Sequence, residues 1–115
     1  MAKLSTHILD TSAGRPADGV AIRLYSVGEQ RALLGRAVTN SDGRTDNALL
    51  EGEALRTGAY ELEFDMGDYF RGRGNQVAEP AFLETVVIRF SMRADEAYHV
   101  PLLASPWSYS TYRGS

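Results

Sequence analysis

Short runs in which apolar and polar residues alternate recur along this chain, and each predicts a strand with one face turned toward a core. The clearest is Tyr60-Glu61-Leu62-Glu63-Phe64-Asp65, whose apolar and acidic residues fall on opposite faces. Val86, Ile88 and Phe90 alternate with Val87, Arg89 and Ser91; Val20, Ile22 and Leu24 alternate with Ala21, Arg23 and Tyr25. In Leu4-Ser5-Thr6-His7-Ile8-Leu9, one face takes Leu4, Thr6 and Ile8, the other Ser5, His7 and Leu9. Tyr98 to Leu103 sets His99, Pro101 and Leu103 opposite Tyr98, Val100 and Leu102. Pro101 is awkward there, because a proline in a sheet belongs at an edge, a strand start or a bulge.

Turn residues separate these runs. Ser12 to Gly19, Asn40-Ser41-Asp42-Gly43 and Ser105-Pro106-Trp107 all carry Gly, Pro, Asn or Asp. A single short helix is expected around Gly67-Asp68-Tyr69-Phe70-Arg71, ended by Gly72 and Gly74. The pattern predicts an all-β, two-sheet sandwich with one short helix.

The 115 residues suffice to hide roughly two-thirds of the unfolded chain's surface, which predicts one domain spanning 1–115. A net charge of −3 and a pI near 5.3 argue against a surface that grips nucleic acid. The chain has no cysteine, which excludes disulfide frameworks, thiolate zinc sites, iron–sulfur clusters and cysteine nucleophiles. With no long apolar run, no membrane contact is expected and the cytoplasm is the expected compartment. Gly72-Arg73-Gly74 lacks the third glycine of a dinucleotide fingerprint, and no nucleophile elbow, phosphate-binding Gly-Lys-Ser loop or His-Glu-x-x-His helix occurs. A metal site on His7 and His99 would need carboxylates or a neighbouring subunit to complete it, so neither metal nor cofactor is expected.

His7 and His99 are the two histidines, each on the strand face turned away from the expected core. A neutral imidazole is the ordinary general base near pH 7, although a single such histidine is more often a surface or structural residue. Arg44 follows Asp42-Gly43, either as a solvated charge at a turn or as a fork of donors for an anionic or carbonyl-rich ligand. The terminal Ser108-Tyr109-Ser110-Thr111-Tyr112-Arg113-Gly114-Ser115 extends a strand pattern to the last residue with polar groups on both faces. Such a face needs water, a ligand or a matching subunit against it.

With these residues in view, the chain resembles the 5-hydroxyisourate hydrolases, the transthyretin-like enzymes of urate breakdown. The likeness runs from Leu4 to Ser115. It rests on Leu4-Ser5-Thr6-His7-Ile8-Leu9-Asp10-Thr11 with Gly14-Arg15-Pro16-Ala17, on Thr39-Asn40-Ser41-Asp42-Gly43-Arg44, and on His99-Val100-Pro101-Leu102-Leu103 with Ser105-Pro106 and Tyr109 to Ser115. The closing Tyr112-Arg113-Gly114-Ser115 looks like the signature that separates the hydrolases from the thyroid-hormone carriers of the same fold.

The resemblance implies a transthyretin-like sandwich assembled as a homotetramer, a dimer of dimers with active sites in the channel between dimers. It implies catalytic roles for His7, Arg44, His99 and Ser115, and substrate contacts from His7, Arg44, Ser110, Tyr112 and Arg113. The implied substrate is a small oxidised purine, 5-hydroxyisourate, whose cyclic amide is opened by water to 2-oxo-4-hydroxy-4-carboxy-5-ureidoimidazoline without metal or cofactor. Two departures stand out: Ala97 replaces a histidine of many relatives, and Glu79-Pro80-Ala81-Phe82-Leu83 follows the family's aromatic-proline pattern only loosely. The competing readings are a small-ligand carrier using the same channel, and a structural module for which the histidines are incidental.

Overall fold

A computed structural model describes residues 2–75 and 77–114. Nine strands, β1 (Lys3–Asp10), β2 (Arg15–Pro16), β3 (Ala21–Val27), β4 (Arg31–Val38), β5 (Leu50–Glu51), β6 (Gly58–Phe64), β7 (Val86–Met92), β8 (Ala97–Ala104) and β9 (Tyr109–Thr111), one α-helix, α1 (Met66–Gly72), and one 3-10 turn (Gly52–Ala54) make up the described elements. One sheet runs β2-β1-β8-β9, with β5 also on β1; the other runs β4-β3-β6-β7. The architecture is therefore the all-β sandwich with one short helix that the alternation predicts.

The core lies between the sheets, where the apolar faces of the alternating runs meet. Leu4 and Ile8 of β1 and Val100 and Leu102 of β8 face Ile22 and Leu24 of β3, Leu62 and Phe64 of β6, and Val86 and Ile88 of β7. Each fully buried large side chain among them contributes about 1.5–3 kcal/mol. Helix α1 closes one side with Met66, Tyr69 and Phe70, all buried. On the outer face of the second sheet, Glu61, Glu63 and Asp65 would repel one another. Arg23 reaches Glu63 and Asp65, Arg31 reaches Glu61 and Glu63, and Arg89 reaches Glu61, which neutralises the row.

Strand β4 had no clear signature in the pattern, for two reasons. Its sequence Arg-Ala-Leu-Leu-Gly-Arg-Ala-Val sits at a sheet edge with most residues exposed, and the register of β3 on β4 shifts between Leu24 and Tyr25. An edge strand beside a bulge has no buried face to impose a period of two. The tail differs as well: pairing lapses after Thr111 and resumes as an isolated bridge between His99 and Gly114.

Pro101 explains that lapse. The carbonyl of His99 accepts from the Gly114 N–H at 2.7 Å, so the backbone polar groups of His99, Pro101 and Leu103 all face the tail. Pro101 has no N–H to give there, and its carbonyl instead accepts the Thr111 hydroxyl at 2.7 Å. β8 is thus a central strand that tolerates proline because its outer neighbour is interrupted opposite it.

Asp10, at the end of β1, is 1% exposed. Burial alone would raise its pKa, but hydrogen bonds from the Ser12 hydroxyl, the Tyr69 hydroxyl at 2.8 Å and the Ala13 and Ser12 N–H groups outweigh it and hold the carboxyl below its ordinary value. Burial, then the same contact with Asp10, push the Tyr69 hydroxyl up to about 12. Because the folded pKa is depressed, this cluster's stabilisation is present above the unfolded value of about 3.9 and fades as pH falls through the folded one. Asp10→Asn is therefore expected to flatten the acid limb of a melting-temperature-against-pH curve; an unchanged slope below about pH 4 would remove Asp10 from that account. Among the described residues, no helix is long and apolar enough to cross a membrane.

Candidate active site

The site is built on the outer face of the first sheet. β1 and β8 pair in parallel, with Ser5 opposite His99 and His7 opposite Pro101. Since alternate side chains share a face, Ser5, His7, Leu9, His99, Pro101 and Leu103 form one outward patch, while Leu4, Thr6, Ile8, Tyr98, Val100 and Leu102 pack inward. Thr6 is a polar residue on the inward side, and its hydroxyl donates to the Val100 carbonyl at 2.7 Å. Both histidines are half-buried and lie diagonally across the strand pair.

Arg44 reaches this patch through its turn. Asn40 organises the turn: its side-chain oxygen accepts from Asp42 N–H at 2.9 Å, its carbonyl from Gly43 N–H at 2.9 Å, and its own N–H donates to the Arg44 carbonyl at 2.8 Å. Gly43 is buried with φ +75°, and a Cβ on it would collide with the Ile8 carbonyl oxygen. Only glycine allows so close an approach in that conformation. The Gly43 carbonyl accepts from Ile8 N–H at 2.8 Å, and an antiparallel bridge pairs His7 with Arg44. A cavity of about 180 Å³ beside the patch is lined by Lys3, Ser5, Thr6, Arg44, Thr45, Asp46, Asn47 and Ala48.

The tail supplies the far edge. Ser110 pairs with Leu103, and the register that joins Leu102–Thr111 to His99–Gly114 sets Tyr112 opposite Pro101. Ser110 and Tyr112 are therefore on the histidine face, both exposed. Gly114 lies so close to His99 that a Cβ there would stand 2.7 Å from His99 Cδ2. Arg113 falls on the other face. Its guanidinium sits 4.2 Å from the centre of the Tyr98 ring and donates to Glu96 Oε1 at 3.0 Å and the Ala97 carbonyl at 3.1 Å. Ser115 lies outside the described residues.

Electrostatics follow from this placement. Burial, then the positive charge of Arg44 and the proximity of His7, lower the His99 pKa, so the ring stays neutral where an ordinary histidine begins to protonate. Its Nδ1 lies 2.9 Å from the Ser5 hydroxyl oxygen. Among the described residues no group of three His, Cys, Asp or Glu side chains could hold a metal ion.

Sequence reasoning passed over Ser5 and the close approaches of Gly43 and Gly114. Ser5 shares a face with His7 by parity alone, but which strand lies beside it is not readable from its neighbours. The glycines carry no side chain to draw attention; their role is the room they leave.

Residues 4–114 match the HIUase/Transthyretin family. The chain is 55% identical to a 5-hydroxyisourate hydrolase of Pseudomonas aeruginosa, across 100% of this chain and 93% of that protein. It is 56% identical to 5-hydroxyisourate hydrolase 2 of Rhizobium meliloti, across 98% and 96%. Among solved structures, the 5-hydroxyisourate hydrolase of Klebsiella pneumoniae superposes with a TM-score of 0.82 at 36% identity, covering 100% of both chains. An (S)-allantoin synthase superposes at 0.94 and 43% identity, covering 99% of this chain and 44% of that one. Sea bream transthyretin in complex with thyroxine superposes at 0.87 and 27% identity, over 98% and 95%. A sandwich with this topology, matched along nearly its whole length, belongs to the HIUase/Transthyretin family.

Proposed function

We propose that the chain hydrolyses 5-hydroxyisourate, opening the cyclic amide of its six-membered ring. The observation that carries this is the convergence of His7, His99 and Arg44 on one polar sheet face, where burial and the Arg44 guanidinium favour the neutral form of His99. The full-length likeness to 5-hydroxyisourate hydrolases supports the same reading.

The chemistry follows from the groups present. His99 Nδ1 is engaged with Ser5, so Nε2 is the nitrogen that takes a proton from water as the water attacks the ring carbonyl. Arg44 stabilises the negative charge that develops on the carbonyl oxygen, and His7 orients the water beside it. Collapse of the tetrahedral intermediate breaks the ring carbon–nitrogen bond. The protonated His99 returns its proton to the departing nitrogen, leaving a carboxylate and a ureido group, as in 2-oxo-4-hydroxy-4-carboxy-5-ureidoimidazoline. Ser110 and Tyr112 are the tail residues placed to touch the ring; Arg113, held by Glu96 and Tyr98, keeps the tail in position. Ser115 retains the catalytic role that the family signature implies. The reaction needs neither metal nor cofactor.

A patch on an open sheet face is not yet an enclosed site, so we place it in the channel of a homotetramer, with a second copy as its other wall. The exposed Phe82–Trp107 stack, centroids 5.8 Å apart, and the exposed Tyr112 are the apolar surface such an assembly would cover. A carrier in the manner of the thyroxine-binding relative is the second reading, but two histidines and an arginine make this face polar where a channel for an aromatic ligand is expected to be apolar.

The test is decay of freshly generated 5-hydroxyisourate followed by absorbance with and without the protein; no acceleration would return the carrier reading. Arg44→Lys keeps the charge but loses the planar fork, so kcat/KM is expected to fall by about tenfold or more, on the scale of one lost donor to an oxyanion. Full activity in that variant would reduce Arg44 to a source of charge.

A further inference from the structure

We propose that Ser5 is a positioning residue for His99: its hydroxyl oxygen accepts the Nδ1–H and so fixes the tautomer and ring orientation in which Nε2 presents its lone pair to water. The inference rests on the hydrolase reading for its kinetic consequence, and on geometry alone for its structural one.

Three observations converge on it. The parallel register sets Ser5 directly opposite His99, so the backbone ladder and not a mobile loop places the hydroxyl. The Oγ to Nδ1 distance is 2.9 Å, a full hydrogen bond in a half-buried setting. On its other side the ring meets Gly114, whose backbone approaches so closely that even a Cβ would press on Cδ2. The imidazole is thus held between a hydroxyl and a glycine, which leaves it little freedom to rotate about χ2.

The choice of serine has a chemical reason. A hydroxyl can donate or accept, but a base acting through Nε2 needs the proton on Nδ1, and only an acceptor at Nδ1 favours that tautomer. A carboxylate would accept too, but its charge would raise the affinity of the imidazole for a proton. Around His99 the other titratable and charged groups are His7 and Lys3 on β1, Arg44 on its turn and Tyr112 on the tail; of these Arg44, then His7, favour a neutral ring. A neutral acceptor fixes the tautomer without opposing them.

The experiment pairs a spectroscopic readout with kinetics. In uniformly 15N-labelled protein at neutral pH, the His99 imidazole is expected to carry its proton on Nδ1, with the assignment made by loss of that signal in His99→Ala. Ser5→Ala is expected to mix the two tautomers and lower kcat by roughly tenfold, a part of what a general base supplies, with KM little changed. Ser5→Thr, which restores a hydroxyl on a β-branched side chain suited to a strand, is expected to recover both. Ser5→Asp is expected to move the acid limb of the kcat profile upward by about one unit or more. A wild-type ring protonated on Nε2 would overturn the proposal, as would a Ser5→Ala protein with unchanged tautomer and kcat. Wild-type protein inert toward 5-hydroxyisourate would count against the hydrolase reading alone, since the tautomer is measured without substrate.

Discussion

His99→Ala is expected to lower kcat by about a hundredfold or more, the scale of a lost general base, while the melting temperature moves by only a few degrees. The separation of the two effects comes from where the ring sits. His99 is half-buried on the outer face of β8, and the inward residues on either side of it, Tyr98 and Val100, carry the packing. Alanine there removes a polar contact to Ser5 and leaves the sandwich core untouched. His7→Ala is expected to behave alike, because Thr6 and Ile8 flank it as Tyr98 and Val100 flank His99. The pH profile adds a sign to the prediction. A His99 pKa below its ordinary value keeps the base neutral to lower pH, so the acid limb of kcat/KM belongs below about 6.5. Near-normal turnover in both folded variants would sink the mechanism; an acid limb above that value would sink the electrostatic argument for His99.

Deleting Tyr112 to Ser115 is expected to abolish most turnover, by about a hundredfold or more, while leaving each subunit folded. Termini are usually dispensable, and the β9 ladder itself ends at Thr111, with its hydroxyl fastened to the Pro101 carbonyl. What the deletion removes is the Gly114 backbone that braces His99, the Tyr112 ring on the histidine face, and the Arg113 anchor on Glu96 and Tyr98 that holds both in place. Far-UV circular dichroism should be nearly unchanged. Light scattering separates an assembly defect from a catalytic one: a truncated protein of unchanged mass and lost activity assigns the tail to the active site. A truncated protein that stays fully active would show that the tail signature has no catalytic meaning here.

Much of this molecule is legible in one dimension, and particular residues show where that stops. The alternation around Ile8, Ile22, Leu62, Ile88 and Val100 depends only on neighbours two apart, so it determines five strands and the outward direction of His7 and His99. Gly43 and the Asn40–Asp42 turn are legible for the same reason, since a turn is made by adjacent residues. Edge strand β4 was not, because a strand with no buried face has no pattern to impose. Nor was the end of the tail, where the missing N–H of Pro101 on another strand decides that pairing lapses after Thr111.

What only the tertiary structure decided is who stands beside whom. Parity assigns Ser5, His7 and His99 to outward faces but is silent on strand order, direction and register, which are set by the fit of one whole core face against another. The parallel pairing of β1 with β8 puts Ser5 on His99 across 94 positions of sequence. The bridge from His7 to Arg44 and the press of Gly114 on His99 arise in the same way. A one-residue slip of β1 on β8 that kept the core face inward is impossible, because it would turn every side chain over. The buried faces therefore lock the register, and the register alone brings the histidines, the serine and the arginine into one site.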